Sequence, residues 1–135
     1  MHRKQIPARL RKGVTLLEMT VVIMIMLTLI GMSMFSFRKY TEWQKGRAAG
    51  ESLREVYTAQ RMYLADNPTT PVADLNDALL IPYLPNNAAA LPVVQSLVNT
   101  NLTISVTSSP PVFLDGDTVY DPSGSTTDSL WDVGE

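Results

Sequence analysis

The sequence predicts an α+β protein in which one long N-terminal helix, half transmembrane and half amphipathic, packs on a small antiparallel sheet. Three observations carry this. Val14 to Phe37 is an apolar run with a single charge, Glu18; the residues after it repeat their apolar positions at three- and four-residue steps; and the region after Asn101 alternates like a half-buried strand and then meets an Asp-Gly turn.

The apolar run has 24 residues. At 1.5 Å per residue it makes a helix of about 36 Å, enough to cross a hydrocarbon core of about 30 Å. Met1 to Gly13 precedes it as a basic leader with Arg3, Lys4, Arg9, Arg11 and Lys12, five of the eleven Lys and Arg residues in the chain. Lys and Arg stay on the cytoplasmic side of a span, so the N-terminus is expected in the cytoplasm and residues 38-135 on the far side; Arg38 and Lys39 oppose this, two against five.

The helix is expected to continue to about Ala65. Tyr40, Trp43, Gly50, Leu53, Val56, Tyr57 and Leu64 fall on one face that should pack on a sheet, with Arg47, Arg54, Glu55 and Arg61 solvated opposite. Gly46 and Gly50 form a small-residue pair that lets the helix approach the sheet closely. Asp66-Asn67-Pro68 stops it, because proline lacks a donor and disfavours helical geometry in the residue before it. From Asn67 to Asn101 the chain reads as loop, with Asp74 as N-cap of a short helix through Leu80, interrupted by Pro82 and Pro85. Three strands follow: Asn101 to Thr107, Val112 to Leu114, and Thr118 to Tyr120, the last two joined by a turn at Asp115-Gly116.

Composition excludes several function classes. The chain has 135 residues, a net charge of -2, no cysteine, and one histidine, His2, in the leader. Residues 38-135 therefore hold no disulfide, no Cys-His or Ser-His-Asp nucleophile and no usual zinc site. Beyond Arg61 every charged side chain is acidic, so the basic patch of a nucleic-acid binder is missing there. A non-enzymatic protein is expected.

Lys12-Gly13-Val14-Thr15-Leu16-Leu17-Glu18 resembles the prepilin-peptidase site of type IV pilins and pseudopilins: a short basic leader ending in Gly, an apolar residue, and a Glu five residues after the cut. An ordinary secretory signal would instead show an A-x-A-like cleavage pattern after Phe37, which is absent. The resemblance implies cleavage between Gly13 and Val14, N-methylation of Val14 and retention of the apolar helix as the assembly element. Val14 replaces the more usual Phe. It also implies a type IV pilin-like fold and a role for Glu18 in assembly, where its carboxylate meets the new amine of Val14 on a neighbouring subunit. The helix-breaking Pro common in this segment of pilins is lacking between Val14 and Tyr40, so local melting would have to rely on Gly31, Ser33 and Ser36.

The acidic stretch "DGDTVYDPSGSTTDSLWDVGE" gathers Asp115, Asp117, Asp121, Asp128 and Asp132 among Gly and Ser without a cation. Calcium takes six to eight oxygen ligands at loose geometry, and type II secretion pseudopilins resembling this chain order such a loop around it. The expected ligands are Asp121, Asp128 and Asp132, with Ser123 or Ser125 and backbone carbonyls; the alternative is a solvated acidic tail with Trp131 tucked into the core.

The resemblance thus implies a structural subunit of a type II secretion pseudopilus, in the bacterial inner membrane with a periplasmic C-terminal domain. Its implied partners are copies of itself, other pseudopilins, prepilin peptidase, membrane lipid, and an inner-membrane assembly platform with its ATPase. Two alternatives stay open: a type IV pilin of a surface fibre for adhesion, motility or DNA uptake, and a signal-anchored periplasmic binding domain that never polymerises.

Overall fold

The computed structural model describes Gly13 to Gly134; the leader expected from Met1 to Lys12 lies outside the described residues. The chain forms two compact units, one ending at Arg38 and the other running from Lys39 to Glu135.

One helix, α1 (Leu16–Asp66), contributes to both. Its first part is long and apolar enough to cross a membrane, and none of its most apolar window is buried. Three hydroxyls in this part are satisfied locally: Thr20 and Thr28 donate to Leu17 and Ile25 carbonyls at 2.7 Å, and Ser33 donates to the Leu29 carbonyl at 2.9 Å. Bonding back to the preceding turn removes an otherwise unpaired polar group from an apolar surface. The helix continues unbroken through Gly31, Ser33 and Ser36.

In the second unit α1 buries Gly46, Ala49, Gly50, Leu53, Val56, Ala59 and Gln60, a stripe at three- and four-residue steps. This stripe starts later than predicted. Tyr40 and Trp43 are about half exposed and stack on one another at 6.1 Å instead of entering the core. The helix stops where expected, and Asn67 closes it, its side-chain amide donating to the Tyr63 carbonyl at 3.1 Å.

A 3-10 turn (Val72–Asp74), the short helix α2 (Asp77–Leu80) and two further 3-10 turns (Ile81–Tyr83 and Pro85–Asn87) follow. The N-cap of α2 is Asn76, whose Oδ1 accepts from the Leu79 amide at 3.2 Å, not Asp74. The cause lies between them: Leu75 takes extended backbone and is buried, which separates Asp74 from the helix.

The sheet has four strands, one more than predicted: β1 (Val94–Gln95), β2 (Asn101–Ser105), β3 (Val112–Asp115) and β4 (Thr118–Val119), in the order β1-β2-β3-β4 with every pair antiparallel. The β3–β4 turn lies one residue later than expected, since Asp115 still pairs with Thr118 and Gly116 and Asp117 make the loop. Gly116 at φ 64° suits the first loop position of a hairpin turn that needs positive φ there.

The core forms two clusters along α1. Ala49 and Leu53 meet Leu102, Phe113, Trp131 and Val133, and Val56 and Ala59 meet Leu75, Leu80, Leu84 and Val106. Gln60 is fully buried and ties the helix to the chain after β2, its Nε2 donating to Val106 and Ser108 carbonyls at 2.9 and 2.8 Å.

Candidate functional site

Gly13, Val14 and Glu18 come together at the head of α1. Gly13 and Val14 are exposed, non-helical residues directly before it, and a Cβ placed on Gly13 would meet nothing within 4 Å. A protease needs extended, accessible backbone, and this junction is accessible. Thr15 is a residue the sequence reading passed over: its Oγ accepts from the Glu18 amide at 3.2 Å, and its carbonyl accepts from Met19 at 3.1 Å. Thr15-Leu16-Leu17-Glu18 is the S/T-x-x-E capping pattern, a signal that was present to be read. Glu18 thus sits in the first helical turn, where backbone N–H groups favour a negative charge, amid exposed Leu16, Leu17 and Met19.

The acidic residues of the C-terminal segment lie in the other unit. Asp121 Oδ1 accepts from the Ser123 amide at 3.0 Å and hydroxyl at 2.6 Å, and Asp128 Oδ1 accepts from the Leu130 amide at 2.9 Å. The Ser123 hydroxyl is also 3.1 Å from the Ser125 carbonyl and 3.3 Å from Asp128 Oδ1. Two carboxylates and a carbonyl therefore surround Ser123. Asp132 lies beside Asp128, but its Oδ1 accepts from the Ser129 and Gly134 amides. Among the described residues no three acidic side chains converge as metal ligands, so Asp121, Asp128 and Asp132 do not form one ligand shell in this structure. The donor chemistry around Ser123, all oxygen, is of the kind calcium takes.

Asp132 Oδ2 is buried without a hydrogen-bond partner. Burial, followed by the nearby Asp128 carboxylate, pushes the Asp132 pKa up, while the Gly134 and Ser129 amides pull it down by less. A proton on Oδ2 would supply the missing donor toward Asp128.

The segment holding Asp132 is docked on α1. The Trp131 amide donates to the Gly46 carbonyl at 3.1 Å, and Trp131 is buried edge-on to Tyr120 and Phe113. A Cβ on Gly46 would stand 2.8 Å from the Trp131 ring nitrogen; one on Gly50 would stand 2.6 Å from the Ser129 carbonyl oxygen. The two glycines thus admit the C-terminal segment, not the sheet as predicted. Arg54, expected to be solvated, donates from Nε to the Val133 carbonyl at 2.9 Å and from Nη2 to the Ser129 hydroxyl at 2.6 Å.

No family model, no curated protein and no solved structure matches this chain.

Proposed function

We propose that this chain is a subunit of a membrane-assembled filament, cut between Gly13 and Val14 and polymerised through its apolar helix, and that the filament is a type II secretion pseudopilus. The observation that carries the proposal is Glu18: a lone carboxylate on a lipid-length helix, five residues after a Gly and one turn below an exposed chain junction.

An ionised carboxylate in lipid costs up to about 3 kcal/mol at mid-membrane and less toward the edge. Hydrolysis after Gly13 leaves Val14 with a free amine, protonated at neutral pH. That cation cannot lie far from its own Glu18, but in a bundle of copies it can reach the Glu18 of a neighbour. A charge-assisted hydrogen bond there, away from water, would fix the axial step between subunits. The amine also stands at the start of α1, so pairing it with a neighbour's carboxylate removes a positive charge from the helix end where it is least favourable. Calcium belongs to the proposal as a ligand of the Asp121, Asp128 and Asp132 segment, where it would offset carboxylate repulsion; added Ca²⁺ is expected to raise the Tm of the outer unit, and an unchanged Tm removes calcium from the proposal.

Thr15 gives Glu18 a rival, purely local role as a capping residue. Gln serves a capping box as well as Glu but carries no charge. E18Q is therefore expected to keep the helix and leader cleavage while losing filaments; normal filaments from E18Q leave capping as the role of Glu18. The processing step is tested by the intact mass of the chain made with and without a prepilin peptidase. Loss of residues 1-13 only with the peptidase is expected, and a retained leader supports the non-polymerising anchored domain instead.

A further inference from the structure

Arg47, Arg54 and Arg61 stand seven residues apart on α1. Seven residues turn a helix to within about 20° of its starting direction, so the three form one stripe about 21 Å long. All three are exposed, and because Arg54 already donates to Val133 and Ser129, Arg47 and Arg61 are the ones that offer their charge. Arg47 lies over the Trp43 ring at 5.9 Å and Arg61 over the Tyr57 ring at 5.6 Å, contacts that orient a guanidinium plane while leaving its N–H edge available. Among the described residues the ion pair is Lys39–Glu42; Glu51, four residues from Arg47 and three from Arg54, pairs with neither. Arg54, Tyr57, Arg61, Met62 and Val133 border a groove of about 510 Å³.

The matching charge lies on a different element. Beyond Arg61 the chain holds nine Asp and Glu and no cation. Four of those acids are already engaged: Asp66 accepts from the Tyr83 hydroxyl, and Asp121, Asp128 and Asp132 accept within the C-terminal segment. Asp74 and Asp77 are exposed too and accept no hydrogen bond among the described residues, but they lie in short helical turns, whereas Asp115 and Asp117 stand together on a projecting hairpin. They flank Gly116 at the β3–β4 tip, both exposed, and their carboxylates accept no hydrogen bond among the described residues.

We infer that the Asp115-Gly116-Asp117 tip of one copy docks on the arginine stripe of the next, with Asp117 meeting Arg61 in the groove. The occupant is a second copy because the chain itself carries both halves of the complementarity, and paired Arg–carboxylate forks are directional as well as attractive. The two patches are different surfaces, so the contact is heterologous. Such a contact propagates into an open array unless its rotation happens to close a ring. It supplies a water-facing contact in addition to the apolar one, and it rests on the filament reading above.

The chain has no cysteine, so introduced cysteines report one contact without background. Two single variants of the full chain, R61C and D117C, are co-expressed in membranes with a prepilin peptidase and oxidised. A disulfide between them can form only across copies. It is expected to exceed, by about tenfold, that of a D74C and D117C mixture, the ratio of a modest charge-pairing preference. R61E and D117R are each expected to weaken self-association, and their combination to restore it. Polymer that forms without the R61C–D117C link overturns the docking and leaves the filament reading standing. A link that forms irrespective of leader removal and of Glu18 supports the docking and overturns that reading, and absence of both link and polymer overturns both.

Discussion

Single atoms decide how tightly the C-terminal segment seats on α1. A Cβ on Gly50 would fall 2.6 Å from the Ser129 and 2.9 Å from the Asp132 carbonyl oxygens, and backbone cannot swing aside as a side chain can. Gly50→Ala is therefore expected to destabilise the unit from Lys39 onward by about 1–3 kcal/mol, the cost of overpacking, despite alanine's better helix propensity. Gly31→Ala, with nothing within 4 Å, is expected to leave urea unfolding of that unit unchanged. Asp132 makes the segment pH-sensitive, with a sign that can be worked out. Its native pKa lies above the ordinary carboxylate value of about 4, so between that value and the raised one the folded state binds more protons than the unfolded state. Stability conferred by the protonated form is thus complete below this window and declines as pH rises through it. Asp132→Asn, which retains the Oδ1 acceptor, is expected to flatten that decline when Tm is measured against pH in chelator.

Among the elements, α1 and the strands were legible because periodicity survives in the letters. The 3.6-residue period runs from Ala49 to Ala59, and Leu102, Ile104 and Val106 alternate toward the core as expected, two of them buried and Ile104 partly so. What could not be read depends on contacts made far along the chain. Strand β1 is two residues long and exists because Val94 and Gln95 pair with Leu102 and Asn101, while buried Ser96 closes the connecting turn by accepting from the Val98 and Thr100 amides. Arg54 looks like a solvated helix charge until Val133 and Ser129 arrive beside it. The apolar, lone-carboxylate character of the α1 head was legible, whereas the failure of Asp121, Asp128 and Asp132 to converge on one point was not, since spacing cannot tell which way a loop turns its side chains. Gln60 belongs to the same class. It is a polar residue on a buried stripe, and it anchors the chain leaving β2 with two donated bonds. Gln60→Glu, unable to donate when ionised and fully buried, is expected to cost about 2–4 kcal/mol in urea unfolding, with Gln60→Leu intermediate.

Taken whole, the molecule has an apolar helical part with no burial of its own and a second unit whose core is closed by Trp131 and Val133. The first property predicts that the full chain resists alkaline carbonate extraction from membranes, since about 20 apolar residues suffice for a stable span; release into the supernatant would exclude a membrane span. The second concerns the order of events during synthesis. Arg54 and Val133, 79 positions apart, share a hydrogen bond, and Trp131 completes the cluster begun by Ala49 and Leu53. A chain delivered N-terminus first must leave that helix face uncovered until residues 129-133 emerge, because contacts between distant positions form only after both partners are present. The second unit is therefore sealed by a late-synthesised latch: without Ser129 to Val133, the helix face holding Ala49 and Leu53 stays bare while the apolar part of α1 is already made.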